Sequence, residues 1–347
     1  MLKYFKGSYI FTLVGIICAC LWAHHISPGK ELSALFIVAI LSILEISLSF
    51  DNAVVNAGKL EKMSPKWQHR FLTWGIFIAV FGMRFLFPVL VVSIFAHVGL
   101  LEVINMALKD ADKYSHYLHI SHPLVITFGA TFLIMLFFTY FLNPQKEVHW
   151  LKPVEEKLST LSNIKGLNVC LTLFILYLTQ SHIAKEYRLD AIIAGIWGII
   201  IYLLIDGVAH ALEKHNENVQ TQTCTPKFNL ANSCFINFLY LELIDASFSL
   251  DGVLGAFALS KDIVIITIGL SIGAMFVRSL TIMLVEKKTL KEYKYLENGA
   301  HWAIGALACI MFISSFKEVS EIITGIIGLF FIIWSFISSV KENKKLA

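Results

Sequence analysis

The amino-acid sequence predicts an all-α, polytopic membrane protein with about ten transmembrane helices, six of which form two inverted three-helix repeats. The first observation is composition, because 57% of the 347 residues are hydrophobic and only 15% are charged. The second is a series of long apolar runs, since a helix needs about 20 apolar residues to cross a bilayer. The third is an acidic motif that occurs twice inside those runs.

Ten apolar runs are candidate transmembrane helices, and the fifth is the shortest. In chain order they are Ser8–Ala23, Ser33–Ala57, Phe71–Phe95, Leu124–Leu142, Leu167–Ser181, Asp190–Ala209, Cys234–Ser260, Ile263–Val285, His301–Phe316 and Glu321–Val340. The charged segment from Pro144 to Lys165 separates the fourth run from the fifth. We expect it to lie on the membrane surface as an amphipathic piece.

The basic residues predict the orientation of the chain, because cytoplasmic loops carry an excess of lysine and arginine. With the N-terminus inside, 19 of the 28 lysines and arginines fall in cytoplasmic segments and seven in outside loops. The other two, Arg84 and Arg278, lie within apolar runs. We therefore predict an inner-membrane protein with both termini in the cytoplasm and the lipid bilayer as its main partner. The net charge of +3 gives no indication of nucleic-acid binding.

An internal repeat relates two parts of the chain that lie two hundred positions apart. Leu44–Asn56 reads LEISLSFDNAVVN, and Ile244–Ala256 reads IDASFSLDGVLGA. The likeness continues through the next two helices, where Gly75–Arg84 matches Gly269–Arg278 and Gly129–Ala130 matches Gly305–Ala306. Five crossings separate the first repeated helix from its match, so the two repeats are predicted to be inverted. Many secondary transporters have inverted repeats and bind their substrate near the membrane midplane.

The repeats divide the chain into five predicted parts. They are residues 1–32, the first transmembrane helix and an outside loop; 33–142, the first repeat; 143–231, a cytoplasmic linker and two transmembrane helices; 232–318, the second repeat; and 319–347, the last transmembrane helix and a cytoplasmic tail.

Polar side chains inside the repeated helices form the candidate functional site. A charge at bilayer depth costs about 2.5–3.5 kcal/mol even on insertion scales, so it usually has a function. The donor atoms are all oxygens, which suit Mg²⁺, Ca²⁺ and Mn²⁺, and neither motif contains the Cys or His that zinc and copper favour. The predicted metal ligands are Glu45, Ser47, Asp51, Asn52, Glu242, Asp245, Ser247 and Asp251.

Helix phase separates the two acidic residues of the first motif. Successive residues advance by about 100°, so a regular helix places Glu45 and Asp51 on different faces. Either the helix is broken near residues 47–51, or one carboxylate binds the cation and the other lies on its access route. Five intramembrane acids and two arginines leave three uncompensated negative charges. One divalent cation and one proton would neutralise them, which makes proton exchange a natural form of coupling.

Two other sets of residues have alternative interpretations. Arg84 and Arg278 either form buried ion pairs that lock each repeat or contact the substrate. His97, His116, His119 and His122 fall in the predicted outside loop between the third and fourth helices. They either form an external metal trap or belong to a solvated polar loop.

The motifs resemble those of the TerC family of integral membrane proteins. The resemblance rests on Leu44–Asn52 in the first repeat and on Glu242, Asp245, Phe248 and Asp251 in the second. Within that group, the chain resembles a bacterial branch described as a domain of unknown function. The resemblance implies a LysE-superfamily transporter fold and export of a divalent metal, above all Mn²⁺, with a historical link to tellurite resistance. Gly252 stands where the family more often has serine, so the ion preference need not be the same.

These observations predict a secondary transporter and not an enzyme. The expected substrate is a divalent metal, with Mn²⁺ first and Ca²⁺ or Mg²⁺ as alternatives, and protons are the expected coupling ion. One alternative is a non-transporting membrane factor that serves metal loading or tellurite and stress resistance. Another is an intramembrane aspartyl protease in which Asp51 and Asp251 share a proton. That second alternative lacks the G-x-G-D signature of such proteases.

Overall fold

The computed structural model is helical, and the part of the chain that it describes contains no strand. The described residues are 2–26, 28–61, 63–95, 98–144, 146–220, 235, 238–239, 241–242, 245, 256, 259–260, 262–317, 319 and 321–346. The helices are α1 (Leu2–Ile26), α2 (Glu31–Leu48), α3 (Phe50–Leu60), α4 (Pro65–Phe77), a π-helical stretch (Ile78–Leu86), α5 (Phe87–Phe95), α6 (Leu100–Lys109), α7 (Ala111–Phe141), α8 (Lys152–Thr160), a 3₁₀ turn (Leu161–Asn163), α9 (Leu167–Gln180), α10 (Arg188–Gln220), α11 (Ile263–Glu286), α12 (Thr289–Glu292), α13 (Leu296–Ser314) and α14 (Glu321–Leu346).

Seven described helices are long and apolar enough to cross a membrane. They are Lys3–Ile26, Glu31–Leu48, Ile120–Phe141, Arg188–Val208, Ile263–Glu286, Leu296–Ser314 and Ile323–Lys344. Each overlaps one of the ten predicted spans, although the second predicted span, Ser33–Ala57, extends beyond Leu48 into α3. By helix length and composition, the chain is therefore a multi-pass membrane protein.

The other three predicted spans are shorter, interrupted or outside the described residues. The third is divided among α4, the π-helical stretch and α5. The fifth corresponds to α9, which has 14 residues and makes an angle of 111° with the preceding helix, as in a broken span or a re-entrant loop. Most of the seventh, including Ser247 and Asp251, lies outside the described residues.

Helix α11 packs in parallel with α2 at the centre of the molecule. Gly269 lies against Leu41, and Gly273, one turn later, lies against Glu45. Helix α1 runs antiparallel to α11. The Ser8 hydroxyl, near the start of α1, donates to the Met275 carbonyl in the second half of α11 at 2.9 Å. At the other end, Trp22 donates to Asp262 at 2.8 Å. The close approach of α2 and α11 brings an acidic side chain against a glycine inside the bundle.

Helices α7 and α13 form a second central pair, and they run antiparallel. Phe137 lies against Gly305, and the ring of Tyr140 stacks on His301 with centroids 3.5 Å apart. The buried face of α7 is continuous from Leu124 to Phe141 because apolar residues surround that part of the helix. These helix directions agree with the crossing directions that the loop charges predict.

Residues 111–122 of the predicted histidine loop are helical, because α7 begins at Ala111, although the candidate membrane span within it begins only at Ile120. Asp110 caps that helix, and its carboxylate accepts from the Lys113 amide at 3.1 Å. A polar first turn of this kind has no apolar periodicity, so the sequence did not indicate it. His116 is exposed there. His97 and the side chain of His119 lie outside the described residues.

Replacing Gly273 with alanine is expected to destabilise the protein by about 1–3 kcal/mol through overpacking. The added methyl carbon would lie 2.5 Å from Glu45 Cβ and 2.7 Å from the Ser42 carbonyl oxygen. Gly207→Ala is the matched control, because nothing lies within 4 Å of that position. Equilibrium unfolding in mixed micelles should separate the two variants. Equal stability would show that α2 and α11 are not closely packed.

Candidate functional site

The first acidic motif lies where one helix ends and the next begins. Ser49 separates α2 from α3, with φ −102° and ψ 13°. Its amide still donates to the Glu45 carbonyl at 3.0 Å, and its own carbonyl accepts from the Ala53 amide at 3.1 Å. The interruption is thus a single residue, and it lies within residues 47–51, where one of the two alternatives from the sequence places a break.

Glu45 and Arg84 form a buried ion pair, and each residue is 1% exposed. An Arg84 Nη2 proton is donated to Glu45 Oε1, which also accepts from the Ser49 hydroxyl at 3.0 Å. The Glu45 side chain packs against Gly273, and there is room for it because glycine has no side chain. Arg84 itself belongs to the π-helical stretch, a geometry that is frequent at functional sites.

Asp245 joins this pair to the second motif. Its Oδ2 accepts from Arg84 Nη1 at 3.3 Å, and its Oδ1 accepts from Asn52 Nδ2 at 2.8 Å. Arg278 Nη2 is 3.8 Å from the same Oδ2. A single carboxylate therefore contacts both arginines and connects side chains that are far apart in sequence.

The second ion pair joins Arg278 and Glu242. Arg278 Nη2 lies 3.3 Å and 3.5 Å from the two Glu242 carboxylate oxygens, and Nη1 donates to the Phe71 carbonyl at 2.8 Å. The guanidinium also lies over the Phe71 ring, 4.3 Å from its centroid. Gly75 provides the necessary space, because a Cβ there would come within 2.7 Å of Glu242 Oε1. We call these five side chains, Glu45, Arg84, Glu242, Asp245 and Arg278, the ion-pair network.

Asp51 and Ser47 face a different part of the molecule. Asp51 is 4% exposed, and its Oδ1 accepts from the Asn52 amide at 3.0 Å. Its Oδ2 lies 4.0 Å from the position of a Cβ on Gly328 of α14. The Ser47 hydroxyl donates to the Ile43 carbonyl at 3.0 Å. Glu45 and Asp51 therefore do not share one site, as the helix phase predicts.

Four of the eight predicted ligands lie together, namely Glu45, Asn52, Glu242 and Asp245. Asp51 and Ser47 lie apart from them, and Ser247 and Asp251 are outside the described residues. The sequence left open whether the two arginines form buried ion pairs or contact the substrate. In the structure, both form buried ion pairs. Counting Asp51, four described intramembrane carboxylates outnumber the two guanidinium groups by two charges.

Asn56 is a candidate that the motif did not indicate. It is 3% exposed and lies one turn after Asn52 on α3. The Oδ1 atoms of both asparagines are buried and have no hydrogen-bond donor among the described residues. A buried acceptor without a donor is costly, and bound cations satisfy such oxygens. The spacing of four residues on a polar helix face was the signal that could have identified Asn56.

The described residues contain no group of three or more His, Cys, Asp and Glu side chains placed to hold a metal ion. The three carboxylates of the network are instead paired with the guanidinium groups of Arg84 and Arg278. A cation bound by the network carboxylates would have to replace a guanidinium contact, whereas the Oδ1 atoms of Asn52 and Asn56 have no such contact in the described part of the chain.

Comparisons with known proteins give one family and no characterised relative. No curated protein and no solved structure matches the chain. A family model described as a protein of unknown function, DUF475, matches residues 50–346, which include α3, the π-helical stretch and both arginines of the network. The chain therefore belongs to the DUF475 family.

Proposed function

We propose that this protein is a secondary transporter that carries a divalent cation across the inner membrane, with outward movement of Mn²⁺ as the first candidate. The observation that carries the proposal is the ion-pair network, which gathers ionisable side chains inside apolar helices. Buried charges in membrane helices are costly and commonly line ion pathways. A merely structural role would not require carboxylates in excess of arginines.

The charge balance supports a divalent substrate. Two negative charges remain when the described acids and arginines of the membrane helices are compared. The sum matches the charge of one divalent cation, although Asp51 lies apart from the network, and carboxylate and amide oxygens are ligands that Mn²⁺, Ca²⁺ and Mg²⁺ accept. In the proposed cycle, Arg84 and Arg278 act as internal counter-ions that hold the carboxylates while the site is empty.

The helix directions support the inverted repeats and ten crossings proposed from the sequence. Helices α7 and α13 contain matched segments and run antiparallel in contact. The helix series from α4 to α5 also runs antiparallel to its match, α11. Near the start of that series, the Phe71 carbonyl contacts Arg278 of α11. Near its end, Arg84 contacts the Glu45 side chain, which packs against Gly273, a residue that precedes Arg278 in α11. Inverted halves of this kind permit alternating access, and we extend the proposal to a TerC-like, LysE-superfamily fold.

The proposal is tested by Mn²⁺ flux into vesicles that contain only this purified chain. Wild-type vesicles should take up Mn²⁺ faster than protein-free vesicles, and Asp245→Asn should reduce the flux to background. That variant removes the charge that Arg84 and Arg278 share. Glu102→Gln, at an exposed position on α6, is the control and should retain wild-type flux.

One outcome would contradict transport itself, and another would contradict the role of the network in it. Wild-type flux equal to that of protein-free vesicles would exclude it, and Mn²⁺ binding by the same preparation would then favour a non-transporting metal-loading factor. Undiminished flux in Asp245→Asn would remove the network from the pathway. Repeating the assay with Ca²⁺, Mg²⁺ and Zn²⁺ would establish the ion preference.

A further inference from the structure

Glu155 is a fully buried carboxylate in a short helix whose other charged residues are exposed. It is 0% exposed, whereas Lys152, Glu156 and Lys157 of the same helix, α8, face outward. The sequence predicts a surface segment here, so a buried acid in it is unexpected. An ionised carboxylate is tolerated in such a place only when hydrogen-bond donors surround it.

Five donors surround the Glu155 carboxylate. Oε2 accepts from Lys146 Nζ at 2.9 Å, the Trp150 amide at 3.0 Å and Asn298 Nδ2 at 2.9 Å, and Oε1 accepts from the Leu151 amide at 3.2 Å and Trp302 Nε1 at 2.9 Å. His149 Nδ1 is 3.8 Å from Oε2. Burial alone would raise the pKa of Glu155. The hydrogen bonds from Trp302 and Lys146 outweigh that effect, and the pKa lies below its ordinary value.

The donors belong to two different parts of the chain. Three come from residues 146–151, a non-helical segment between α7 and α8 that we call the strap. Asn298 and Trp302 lie one turn apart at the start of α13. Asn298 also donates to the Val148 carbonyl at 3.1 Å, so its amide group bridges Glu155 and the strap.

Aromatic contacts extend this attachment to the neighbouring helices. The Lys146 ammonium lies over the Phe141 ring at the end of α7, 3.9 Å from its centroid. The Trp150 ring meets Trp334 of α14 edge to face, with centroids 5.0 Å apart. The strap is therefore fastened to α7, α13 and α14, and Glu155 lies at the centre of these contacts.

The strap lies at the membrane side that the loop charges predict to be cytoplasmic. The end of α3 is also at this side, because a Cβ on Gly58 would lie 3.4 Å from Glu297 Oε1 of α13. Helix α3 carries Asp51, Asn52 and Asn56. Movement of the start of α13 away from the strap would therefore expose the inner end of the helix that carries part of the candidate site.

We propose that Glu155 and its five donors form a latch that fastens the strap to the start of α13 and keeps the cytoplasmic end of the α3 and α13 contact closed. The role in transport rests on the proposed function, whereas the latch itself is a statement about local structure. Opening requires that Asn298 and Trp302 leave the carboxylate together, because both are bound to the same group.

The test is hydrogen–deuterium exchange of the full chain in lipid vesicles, comparing wild type with Glu155→Gln. The glutamine side chain keeps the shape of Glu155 but removes its negative charge. It also replaces one accepting oxygen with an NH₂ group, which cannot accept hydrogen bonds from the donors around it. Hydrogen bonds to a charged group are strong enough that we expect exchange about tenfold faster or more. The increase should appear in both the strap and residues 296–302. Glu156→Gln, exposed and adjacent, should leave both unchanged.

A second variant keeps the test decisive if Glu155→Gln fails to accumulate. Lys146→Met removes the cation while leaving Glu155 its neutral donors, and should accelerate exchange in the same two segments. Unchanged exchange in these variants, or an increase in the strap alone, would overturn the latch. Mn²⁺ flux in the same vesicles is an independent measurement. If the wild-type protein shows no flux but the variants exchange faster, only the transport proposal is refuted. If the wild-type protein shows flux but the variants exchange at the wild-type rate, only the latch is refuted.

Discussion

Replacing Arg84 with methionine is expected to lower the free energy of unfolding by about 3–5 kcal/mol, the usual cost of removing one partner from a buried ion pair. The change would leave Glu45 and the Oδ2 atom of Asp245 without the guanidinium that contacts both. Burial makes the loss large, because water cannot replace the missing donor. Equilibrium unfolding in mixed micelles would measure the effect.

Two comparisons make this expectation specific. Arg70→Met removes an exposed arginine, and its effect should stay within about 0.5–1 kcal/mol, the range for an exposed cation–π contact with Trp67. Adding Glu45→Gln to Arg84→Met should cost less than the sum of the single changes, since the second change removes the uncompensated charge. Additive effects, or an Arg84→Met protein as stable as wild type, would contradict a coupled network.

Asp51→Asn is expected to abolish Mn²⁺ flux while changing stability little. Asp51 lies apart from the ion-pair network, and no ion pair joins it to another described residue. Its amide counterpart has nearly the same volume and can still accept from the Asn52 backbone amide, so folding should tolerate the change. A carboxylate that carries a cation or a proton cannot be replaced by an amide. Vesicle flux and micelle unfolding, measured on one preparation, would separate the two effects.

Ser47→Ala is the matched control for Asp51. Both residues lie on the side of the helix that faces α14, but the Ser47 hydroxyl already donates to the Ile43 carbonyl. We therefore expect near wild-type flux from Ser47→Ala, although the sequence placed this residue among the metal ligands. Retained flux in Asp51→Asn, or its loss in Ser47→Ala, would show that the assignment on this face is wrong.

Hydropathy predicted the helices that are regular and continuous, and it was less informative where geometry changes within a span. Seven predicted spans coincide with helices long enough to cross a membrane. The apolar run Phe71–Phe95 gives no sign of the π-helical stretch inside it, because π-helical and α-helical backbone pairing are equally compatible with a run of apolar residues. The first turns of α7 were missed for a different reason, since their polar residues resemble a loop.

The sequence located the ionisable residues of the candidate site but not their partners. Apolar surroundings identified Glu45, Asp245, Arg84 and Arg278, and helix phase placed Asp51 on another face. Which acid meets which arginine depends on helix packing, as the contact between Arg84 and Asp245 illustrates. Glu155 could not be identified from the sequence, because two of its five donors come from α13, far along the chain, and the other three lie in a segment whose polar sequence resembles a surface loop.

The two arginines of the network differ in how their side chains can be redirected. Arg278 belongs to a regular helix, so its direction about the helix axis is fixed unless α11 itself turns. Arg84 belongs to a π-helical stretch, whose hydrogen bonds skip one more residue than those of an α-helix. Conversion of this stretch to α-helical pairing would rotate Arg84 about the helix axis, because an α-helical turn holds fewer residues than a π-helical turn. The two arginines lie in segments of similar sequence, yet the backbone that directs each of them has a different geometry, and only the geometry at Arg84 has an α-helical alternative.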